Sequence, residues 1–573
     1  MKLAKNQKLF LALLIAGGTA AQSLTMVRSG LTYDFGMGFW GPNGHDGIWH
    51  LALINQLAKF SLVHPGLAGV NLTNYHFGFD LLAALIHRLT GLSVITLYFQ
   101  VLPPVMAILI GTLTFKLVLN WTASRKSAWW ATFFVFFGGS WGWLAGLIRD
   151  GQWGGESVFW ANQAVSTLIN PPYALSLIFL LSGLVKLKDF LKKPSGKNLW
   201  LTAILFGVLL EIKVYAGMIT LGGLAILTLW SFYFHSWRRS MIKLFLITLA
   251  ISLAVFLPFN WRSGMLLVFS PLWFPRTMLA FGDRLGWFKL ENARLTFLNS
   301  GQWWKWFLAE GLALGIFILG NLGTRVLGFW SAGQELKNWR KIKPEELFFL
   351  AATFIALMLP LIFIQKGNPW NTIQFFYYFQ FLLAIWAGKS LGQLRQENLK
   401  GSRKVWLGVV LPLMVVALTL PTTVITLKNS YWPSRPPARI SLEELEALQF
   451  LRRQPEGVVL TPPFDFTWRD KFSEPRPLYA YETTVYVSAL ADKPTFLADE
   501  MNLEISGYSW QKRREESIQF FLTNSHDFAN NLIKQNRIAY LYLVKGQEIN
   551  LGEGDIHSRR IFENGEVKIF KIN

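Results

Sequence analysis

The chain has 573 residues, 52% of them hydrophobic, with 47 Phe and 26 Trp and a mean hydropathy of +0.32. Apolar runs repeatedly approach the roughly 20 residues needed to cross a bilayer, which excludes an ordinary soluble protein and predicts a polytopic α-helical membrane protein. The formal charge of +21 does not indicate nucleic-acid binding, because residues 1–427 hold 36 Lys and Arg against 14 Asp and Glu, whereas residues 428–573 hold 19 against 20. The surplus lies in short loops between apolar segments, as the positive-inside rule requires. The chain has no cysteine, so disulfides and Cys-bound metals are excluded.

The first apolar segment, residues 9–27, follows Lys2, Lys5 and Lys8. Basic residues on that side predict a cytoplasmic N-terminus and place the following loop, residues 28–79, outside. The stretch GTAAQS near the end of the segment resembles a signal-peptidase site, so cleavage is the alternative. The many spans that follow favour an uncleaved first span.

The first outer loop concentrates polar residues in the stretch 43–80. Asp46 and His50 lie four residues apart at the start of an amphipathic run, so on a helix they share one face. Glycines on both sides of Asp46 let the backbone bend or approach a ligand closely. A Pro- and Gly-rich loop leads through His76 into an apolar helix opened by Asp80, and we assign these two residues to the lining of an outer cavity. The stretch predicts a membrane-surface helix holding a carboxylate near the bilayer interface; the alternative is that Asp46 caps a surface helix and the histidines are ordinary interfacial residues.

Basic loops set the topology of the segments that follow. Residues 77–121 hold enough apolar sequence for one or two crossings, and residues 128–148 have the same ambiguity. Clusters of Lys and Arg mark later cytoplasmic loops at 186–193, 238–243, 325–343 and 395–404. These clusters give 11 or 13 spans in total and place outside the loops 149–172, 260–305 and 365–372.

Several charged residues lie in or beside the predicted membrane segments, where an ionisable group is a functional candidate by default. Asp150 and Glu156 are acids of the second outer loop. Glu211 and Lys213, in LLEIKVYAG, lie near the outward end of a span but are too close in sequence to pair as helix neighbours. We expect them to line a polar cavity, with a structural buried ion network as the alternative.

The outer loop 260–305 and the segment after residue 365 supply candidate phosphate ligands. Arg262, Arg276 and Arg284 alternate with Trp and Phe, and Lys366 stands just ahead of a later span. A guanidinium suits phosphate because its planar fork makes two parallel hydrogen bonds, and aromatic faces suit prenyl chains or sugar rings. The alternative is an interfacial belt, where Trp is enriched in any case.

From about residue 428 the pattern becomes that of a soluble α/β domain on the outer side. After the linker PSRPPAR we predict a helix at 441–454 and a strand at 457–461, then an apolar segment at 484–488, a helical stretch at 515–535 and strands at 538–544 and 567–572. This part has no Gly-rich phosphate loop and no evident catalytic cluster. The predicted domains are therefore a transmembrane domain, residues 1–427, and a soluble extracytoplasmic domain, residues 428–573.

The order of these features resembles the GT-C class of integral-membrane glycosyltransferases. The resemblance rests on five features: an N-in first span, an outer loop with an Asp and a surface helix, a return helix after NYHFGFDLLAALIHRLTG, many further spans and an outer C-terminal domain. In that class a first-loop carboxylate acts at the acceptor or binds a metal, and sugars come from polyprenyl-phosphate donors. The resemblance therefore implies that Asp46 is the catalytic base, with His50 beside it. Many members have paired acids here; this chain has His45 and Gly47 instead, so Asp150 or Glu156 would supply the second acid and any Mg or Mn site.

The resemblance implies an inverting transfer in the cell membrane, from a lipid-linked sugar to an envelope glycan, lipid or protein. Asp46 would take the proton of the acceptor hydroxyl, and Arg side chains would stabilise the leaving phosphate. A lipid or polysaccharide transporter or flippase is one alternative; it would use Glu211 and Lys213, but such proteins usually show internal repeats, which this sequence lacks. A non-catalytic envelope-assembly protein is the other, and it would explain the missing second acid.

Overall fold

The computed structural model describes residues 4–161, 164–233, 237–261, 267–394 and 406–573. Arg262, one of the predicted phosphate ligands, lies outside these residues. The chain divides into two compact units, each built from discontinuous segments. The first unit comprises Met1–Thr25, Pro104–Leu257 and Gly264–Trp432, and the second comprises Met26–Pro103, Pro258–Ser263 and Pro433–Asn573.

Helices make up nearly all of the first unit. In chain order they are Lys5–Val27, Leu102–Thr122, Arg125–Phe137, Gly142–Asp150, Pro171–Lys192, Gly196–Gly207, Leu209–Ile212, Val214–Trp230, Arg238–Asn260, Trp273–Ala280, Phe288–Asn299, Trp303–Leu322, Gly328–Lys337, Pro344–Ile362, Ile373–Gly392 and Leu411–Thr426. The strands Leu267–Phe269 and Phe363–Gln365 pair antiparallel in the same unit.

Six helical segments of the described residues are long and apolar enough to cross a membrane: Lys5–Val27, Val94–Thr122, Arg238–Asn260, Trp303–Lys337, Pro344–Ile362 and Gly408–Tyr431. A seventh is formed if Arg125–Phe137 and Gly142–Asp150, bent by 44° at their junction, count as one span. The predicted class, a polytopic helical membrane protein, is confirmed. The count of 11 or 13 spans stays a prediction.

The helix Ile373–Gly392 is the centre of the first unit. Nearly all of its residues are buried, as expected for a helix that is apolar on every face. It packs against Arg125–Phe137, and a Cβ at Gly388 would collide with the backbone of Ala131. The absence of a side chain at Gly388 therefore permits the close approach of these two helices.

The second unit joins the first outer loop to the C-terminal residues through a mixed four-stranded sheet. Its strand order is Thr32–Tyr33, Gly36–Phe39, Ala438–Ile440 and Arg476–Pro477. Met37 lies opposite Ile440 in an antiparallel pair. The predicted outer loop 28–79 and the predicted domain 428–573 thus contribute strands to one sheet.

A second four-stranded sheet belongs to the C-terminal residues alone. Its order is Val458–Leu460, Ile538–Val544, Val567–Ile572 and Ser558–Glu563, with the first pair parallel and the others antiparallel. The helices of the unit are Asp46–Ala58, Gly78–Thr90, Leu442–Arg452, Leu478–Tyr481, Tyr486–Ala491, Glu500–Ile505, Gln511–Leu522 and His526–Asn536.

The local predictions for the C-terminal residues agree closely with these bounds. The strands at 538–544 and 567–572 are confirmed to the residue, and the predicted helix 441–454 is Leu442–Arg452. The helical stretch 515–535 is two helices, because Ser525 accepts a hydrogen bond from the N–H of Phe528 and caps a new helix. The apolar segment 484–488 leads into the helix Tyr486–Ala491.

The loop after the helix Asp46–Ala58 is tied to the C-terminal residues by backbone hydrogen bonds. The N–H of Ala68 donates to the carbonyl of Thr495, and the N–H of Thr495 donates to Pro65, both at 2.9 Å. Leu67 lies between them in the hydrophobic core of the unit, beside Leu497. The first outer loop therefore supplies part of that core.

The helix Asp46–Ala58 is not a membrane-surface helix, and that prediction is wrong. Every residue from Gly47 to Ala58 is buried in the protein, and the side-chain amide of Asn55 donates to the carbonyl of Ala489 at 2.7 Å. At Gly47 a Cβ would lie 2.8 Å from the ring of Phe99. The glycine beside Asp46 accommodates an aromatic ring of the protein itself.

Candidate active site

Asp46 is the first residue of the buried helix Asp46–Ala58 and follows a 3-10 turn at Gly41–Gly44. A carboxylate in the first turn is stabilised by the partial positive charge of the unpaired helix N–H groups. The rest of the helix is buried, whereas 57% of the Asp46 side chain is exposed. The fold thus fixes the backbone of Asp46 and leaves its carboxylate accessible.

His45 connects Asp46 to a second, buried carboxylate. Its Nδ1 lies 2.9 Å from Asp46 Oδ1, and its Nε2 lies 3.5 Å from Asp499 Oδ1. Asp499 is fully buried and caps the helix Glu500–Ile505 by accepting from the backbone and side-chain N–H groups of Asn502. The imidazole ring is therefore held between an anchored carboxylate and an accessible one.

The charge of His45 follows from these two neighbours. Burial disfavours the imidazolium, but the negative charge of Asp499 and hydrogen bonding to Asp46 outweigh burial, so the pKa of His45 is raised well above its usual 6.5. The raised pKa favours the form of the ring in which both nitrogens carry protons. Nδ1–H donates to Asp46 and fixes the orientation of its carboxylate.

Glu482 adds a third carboxylate to this group. Partial burial raises its pKa; His45 opposes this effect, while Asp46 and Asp499 reinforce it. Among the described residues, the Glu482 side chain has no hydrogen-bond partner. The sequence analysis missed Asp499 and Glu482, because neither lies near residue 46 in sequence and neither belongs to a motif.

His50 and Asp80, both predicted site residues, form a buried pair in the same unit. The distance from His50 Nδ1 to Asp80 Oδ1 is 2.7 Å, and the imidazole stacks on the ring of Tyr98 at a centroid distance of 5.6 Å. His76 lies edge-on to Tyr75 in the loop before Asp80. The hydrogen bond of His50 thus goes to Asp80, and the histidine bonded to Asp46 is His45.

The two candidate second acids lie in the first unit. Asp150 forms a two-point ion pair with Arg149, at 2.8 and 2.7 Å, on an exposed surface. Glu156 accepts from the hydroxyl of Ser166 at 2.9 Å, and burial raises its pKa. Both carboxylates therefore have partners within their own unit.

The predicted phosphate ligands differ in whether acidic side chains of the protein already neutralise their positive charge. Arg276 Nε donates to Glu310 Oε1 at 2.8 Å, and the same oxygen accepts from Arg294, which also binds Glu291. These two arginines and two glutamates form a neutral network. The guanidinium of Arg284 instead lies 4.1 Å from the ring centre of Trp160 and 3.6 Å from the exposed carboxylate of Asp283. Its Nη1 also donates to the carbonyl of Ser157 at 3.5 Å.

Lys213 stands at a break between the helices Leu209–Ile212 and Val214–Trp230, where its backbone is extended. Its buried Nζ donates to the side-chain oxygen of Asn170 at 3.3 Å. The hydroxyl of Tyr215, two residues later in the sequence, donates to the side-chain oxygen of Gln365, and Gln365 directly precedes the exposed Lys366. Glu211 is buried in the short helix before the break.

Across the part of the chain that the structure describes, no group of three or more His, Asp or Glu residues converges to hold a metal ion.

No protein-family model and no curated protein sequence matches this chain. Solved structures do. The Archaeoglobus fulgidus oligosaccharyltransferase tethered with an acceptor peptide is 12% identical, with a TM-score of 0.50 over 94% of this chain and 69% of that one. The arabinofuranosyltransferase AftD from Mycobacteria is 12% identical, with a TM-score of 0.50 over 100% and 42%. ArnT from Cupriavidus metallidurans bound to undecaprenyl phosphate is 12% identical, with 0.47 over 98% of each chain. These neighbours are GT-C glycosyltransferases, and the chain has the GT-C fold.

Proposed function

We propose that the protein is an integral-membrane glycosyltransferase that moves a sugar from a polyprenyl-phosphate donor to an acceptor hydroxyl of the cell envelope. The GT-C fold supports the reaction class. The observation that carries the assignment of the base is the accessible carboxylate of Asp46, held at a helix N-terminus by a protonated, buried His45.

The proposed step is a single displacement at the anomeric carbon. The acceptor oxygen forms a bond to that carbon while its proton passes to Asp46, and the bond from the carbon to the phosphate oxygen breaks, so polyprenyl phosphate leaves with the electron pair. The configuration at the carbon inverts. Hydrogen bonding from His45 keeps Asp46 oriented for the proton transfer, which is the positioning that general-base catalysis requires.

The donor phosphate requires cationic groups to balance its charge. Arg276 is the weakest of the predicted ligands, because its charge is balanced in the network with Glu310. Lys366 is exposed, and Arg284 presents its guanidinium to an aromatic face. We assign Lys366 and Arg284 to the phosphate, where they would stabilise the negative charge of the leaving group.

The proposal also includes a membrane topology and a test for a second acid. The distribution of Lys and Arg supports a cytoplasmic N-terminus, 11 or 13 spans and an extracytoplasmic C-terminal domain. His45 provides the group that orients the base, so the step needs no acid adjacent to Asp46. Asp150→Asn and Glu156→Gln test whether a carboxylate of the second outer loop also contributes.

The test is transfer by the purified full chain in lipid nanodiscs, with radiolabelled polyprenyl-phosphate sugars as donors and delipidated envelope material as acceptor. Asp46→Asn keeps the shape of the side chain but cannot take the proton, so turnover should fall by roughly 10²–10⁴-fold. Asp34→Asn is the matched control, because Asp34 is an exposed aspartate of the same loop.

Wild-type turnover in Asp46→Asn would refute the assignment of the base. Translocation of intact labelled lipid without sugar transfer would instead identify a flippase.

A further inference from the structure

A cavity of about 380 Å³ lies within the second unit. Its walls come from residues 461–548, among them Phe464, Trp468, Tyr479, Glu482 and Asp499. The volume is in the range of small-molecule sites, which are typically about 300–1,000 Å³ and combine aromatic walls with a few polar groups. Most of these residues have no role in the proposed transfer step.

One wall is aromatic and only half-buried. The ring of Trp468 meets that of Tyr479 edge-on, at a centroid distance of 5.9 Å and an angle of 79°. Within the described part of the chain, neither the indole N–H of Trp468 nor the hydroxyl of Tyr479 has a hydrogen-bond partner. This wall therefore offers ring faces together with unused polar edges.

Among the charged residues of the lining, acids predominate. They are Asp465, Glu482, Asp499, Glu500 and Glu548. The single lining cation, Arg514, is occupied, because it donates to Glu500 at 2.6 Å and to the carbonyl of Phe464 at 2.8 Å. The excess of carboxylates disfavours a phosphate or any other anion, and it favours a ligand that donates hydrogen bonds.

The acidic wall adjoins the proposed base. Asp499 both lines the cavity and contacts His45, which is hydrogen-bonded to Asp46. Glu482 lines the cavity as well and lies within the electrostatic field of Asp46. A ligand in the cavity would therefore contact Asp499, which His45 connects to the group that takes the proton.

We propose that this cavity binds the acceptor, and that the acceptor is a glycan whose bound rings carry hydroxyl or amino groups and no anionic group. The C–H face of a sugar ring would stack on Trp468 and Tyr479, and a ring hydroxyl would donate to Glu482. The excess of carboxylates in the lining would disfavour a phosphate. The identification of the bound glycan as the acceptor rests on the proposed function, but sugar binding itself is measured without turnover.

The experiment is saturation-transfer NMR and calorimetry on the purified full chain in detergent. The probes are N,N′-diacetylchitobiose and maltose as neutral glycans, glucosamine as a cationic sugar, digalacturonate as an anionic one and a Lys-containing tripeptide. We expect a neutral or amino sugar to bind and digalacturonate not to bind. Trp468→Ala should weaken that binding by about 3- to 10-fold, a loss typical of one aromatic contact.

A second variant tests the acidic wall, and a third serves as a control. Glu482→Gln keeps the size of the side chain but removes its charge; sugar affinity should fall by roughly 10-fold or more, and discrimination against digalacturonate should weaken. Trp432→Ala is the control for the loss of a tryptophan, because Trp432 is 67% exposed and does not line the cavity.

The inference is overturned if no sugar probe binds, if binding is unchanged in both Trp468→Ala and Glu482→Gln, or if the peptide binds in place of the sugars. Transfer activity without sugar binding at the cavity would reject this inference and retain the proposed function. Binding that depends on Trp468 in a chain without transfer activity would retain the glycan site and reject the transferase.

Discussion

His64 should make the second unit sensitive to acid. Its ring is fully buried between Trp49 and Tyr508, and its Nδ1 accepts from the N–H of Gly66 at 3.1 Å. Only a neutral imidazole accepts that hydrogen bond. Burial lowers the pKa of His64 from 6.5 to about 4, because the charged ring would lose its hydration; Asp499 opposes this effect.

The sign of the effect follows from the two protonation states. Above pH 6.5 the histidine is neutral in both the folded and the unfolded chain, so it contributes no pH dependence. Between pH 6.5 and about 4 the unfolded chain binds a proton that the folded chain does not, and stability is lost as the pH falls. The difference between 6.5 and about 4 corresponds to roughly 3 kcal/mol, fully lost at about pH 4.

The assay uses a single introduced thiol, because the chain has no cysteine. Ala529 is fully buried in the core of the second unit, so labelling of Ala529→Cys by 4,4′-dithiodipyridine reports opening of that core. His64→Asn keeps an acceptor near the N–H of Gly66 but does not titrate. We expect labelling to accelerate between pH 7 and 4 in the parent, and much less in His64→Asn.

Replacement of an exposed histidine, His526→Asn, is the control and should retain the acid sensitivity of the parent. Identical pH dependence in the parent and in His64→Asn would refute the reasoning.

Three other outcomes are expected. His45→Gln should lower kcat by about 10-fold with little change in KM. Because the pKa of His45 is raised, the protonated ring that orients Asp46 is lost as the pH rises through that pKa, so the parent should lose activity at alkaline pH and the variant should not. Superimposable pH profiles of the two proteins would contradict this expectation. His50→Ala should cost about 1–3 kcal/mol of folding free energy, because it removes a buried hydrogen-bond partner of Asp80; thiol labelling as slow as in the parent would count against it. Met37→Cys combined with Ile440→Cys should form a disulfide on mild oxidation, seen as a mobility shift, because the two residues face each other across the sheet; a chain that stays reduced would disprove that register.

The features that the sequence predicted well are those whose information is local. Alternating apolar residues define the strands Ile538–Val544 and Val567–Ile572, and the apolar runs define the membrane class. The burial of Asp46–Ala58 was not predictable in this way, because the segment that covers it is more than 400 residues away; Asn55 and Ala489 are 434 positions apart. An amphipathic pattern identifies a helix but does not identify what covers it.

The same reason explains which parts of the site were found. Asp46 was recognised because an acid beside a predicted helix in the first outer loop matches a known class. His45 was noted only as the residue that replaces a second acid, and its ion pair with Asp499 depends on a tertiary contact. Glu482 and Asp499 lie in segments without a motif, so only the folded chain brings them to Asp46.

The sheet that joins Gly36–Phe39 to Ala438–Ile440 also constrains biosynthesis. Its strands are separated by about 400 residues, which at roughly 5–20 residues per second take roughly 20–80 s to synthesise. During that interval the first outer loop cannot fold stably, because the C-terminal residues that pair with it are not yet made. The apolar face of its helix therefore stays uncovered. Chains interrupted before residue 499 would lack Asp499, so the ring of His45 beside Asp46 would have no anchored carboxylate to hold it.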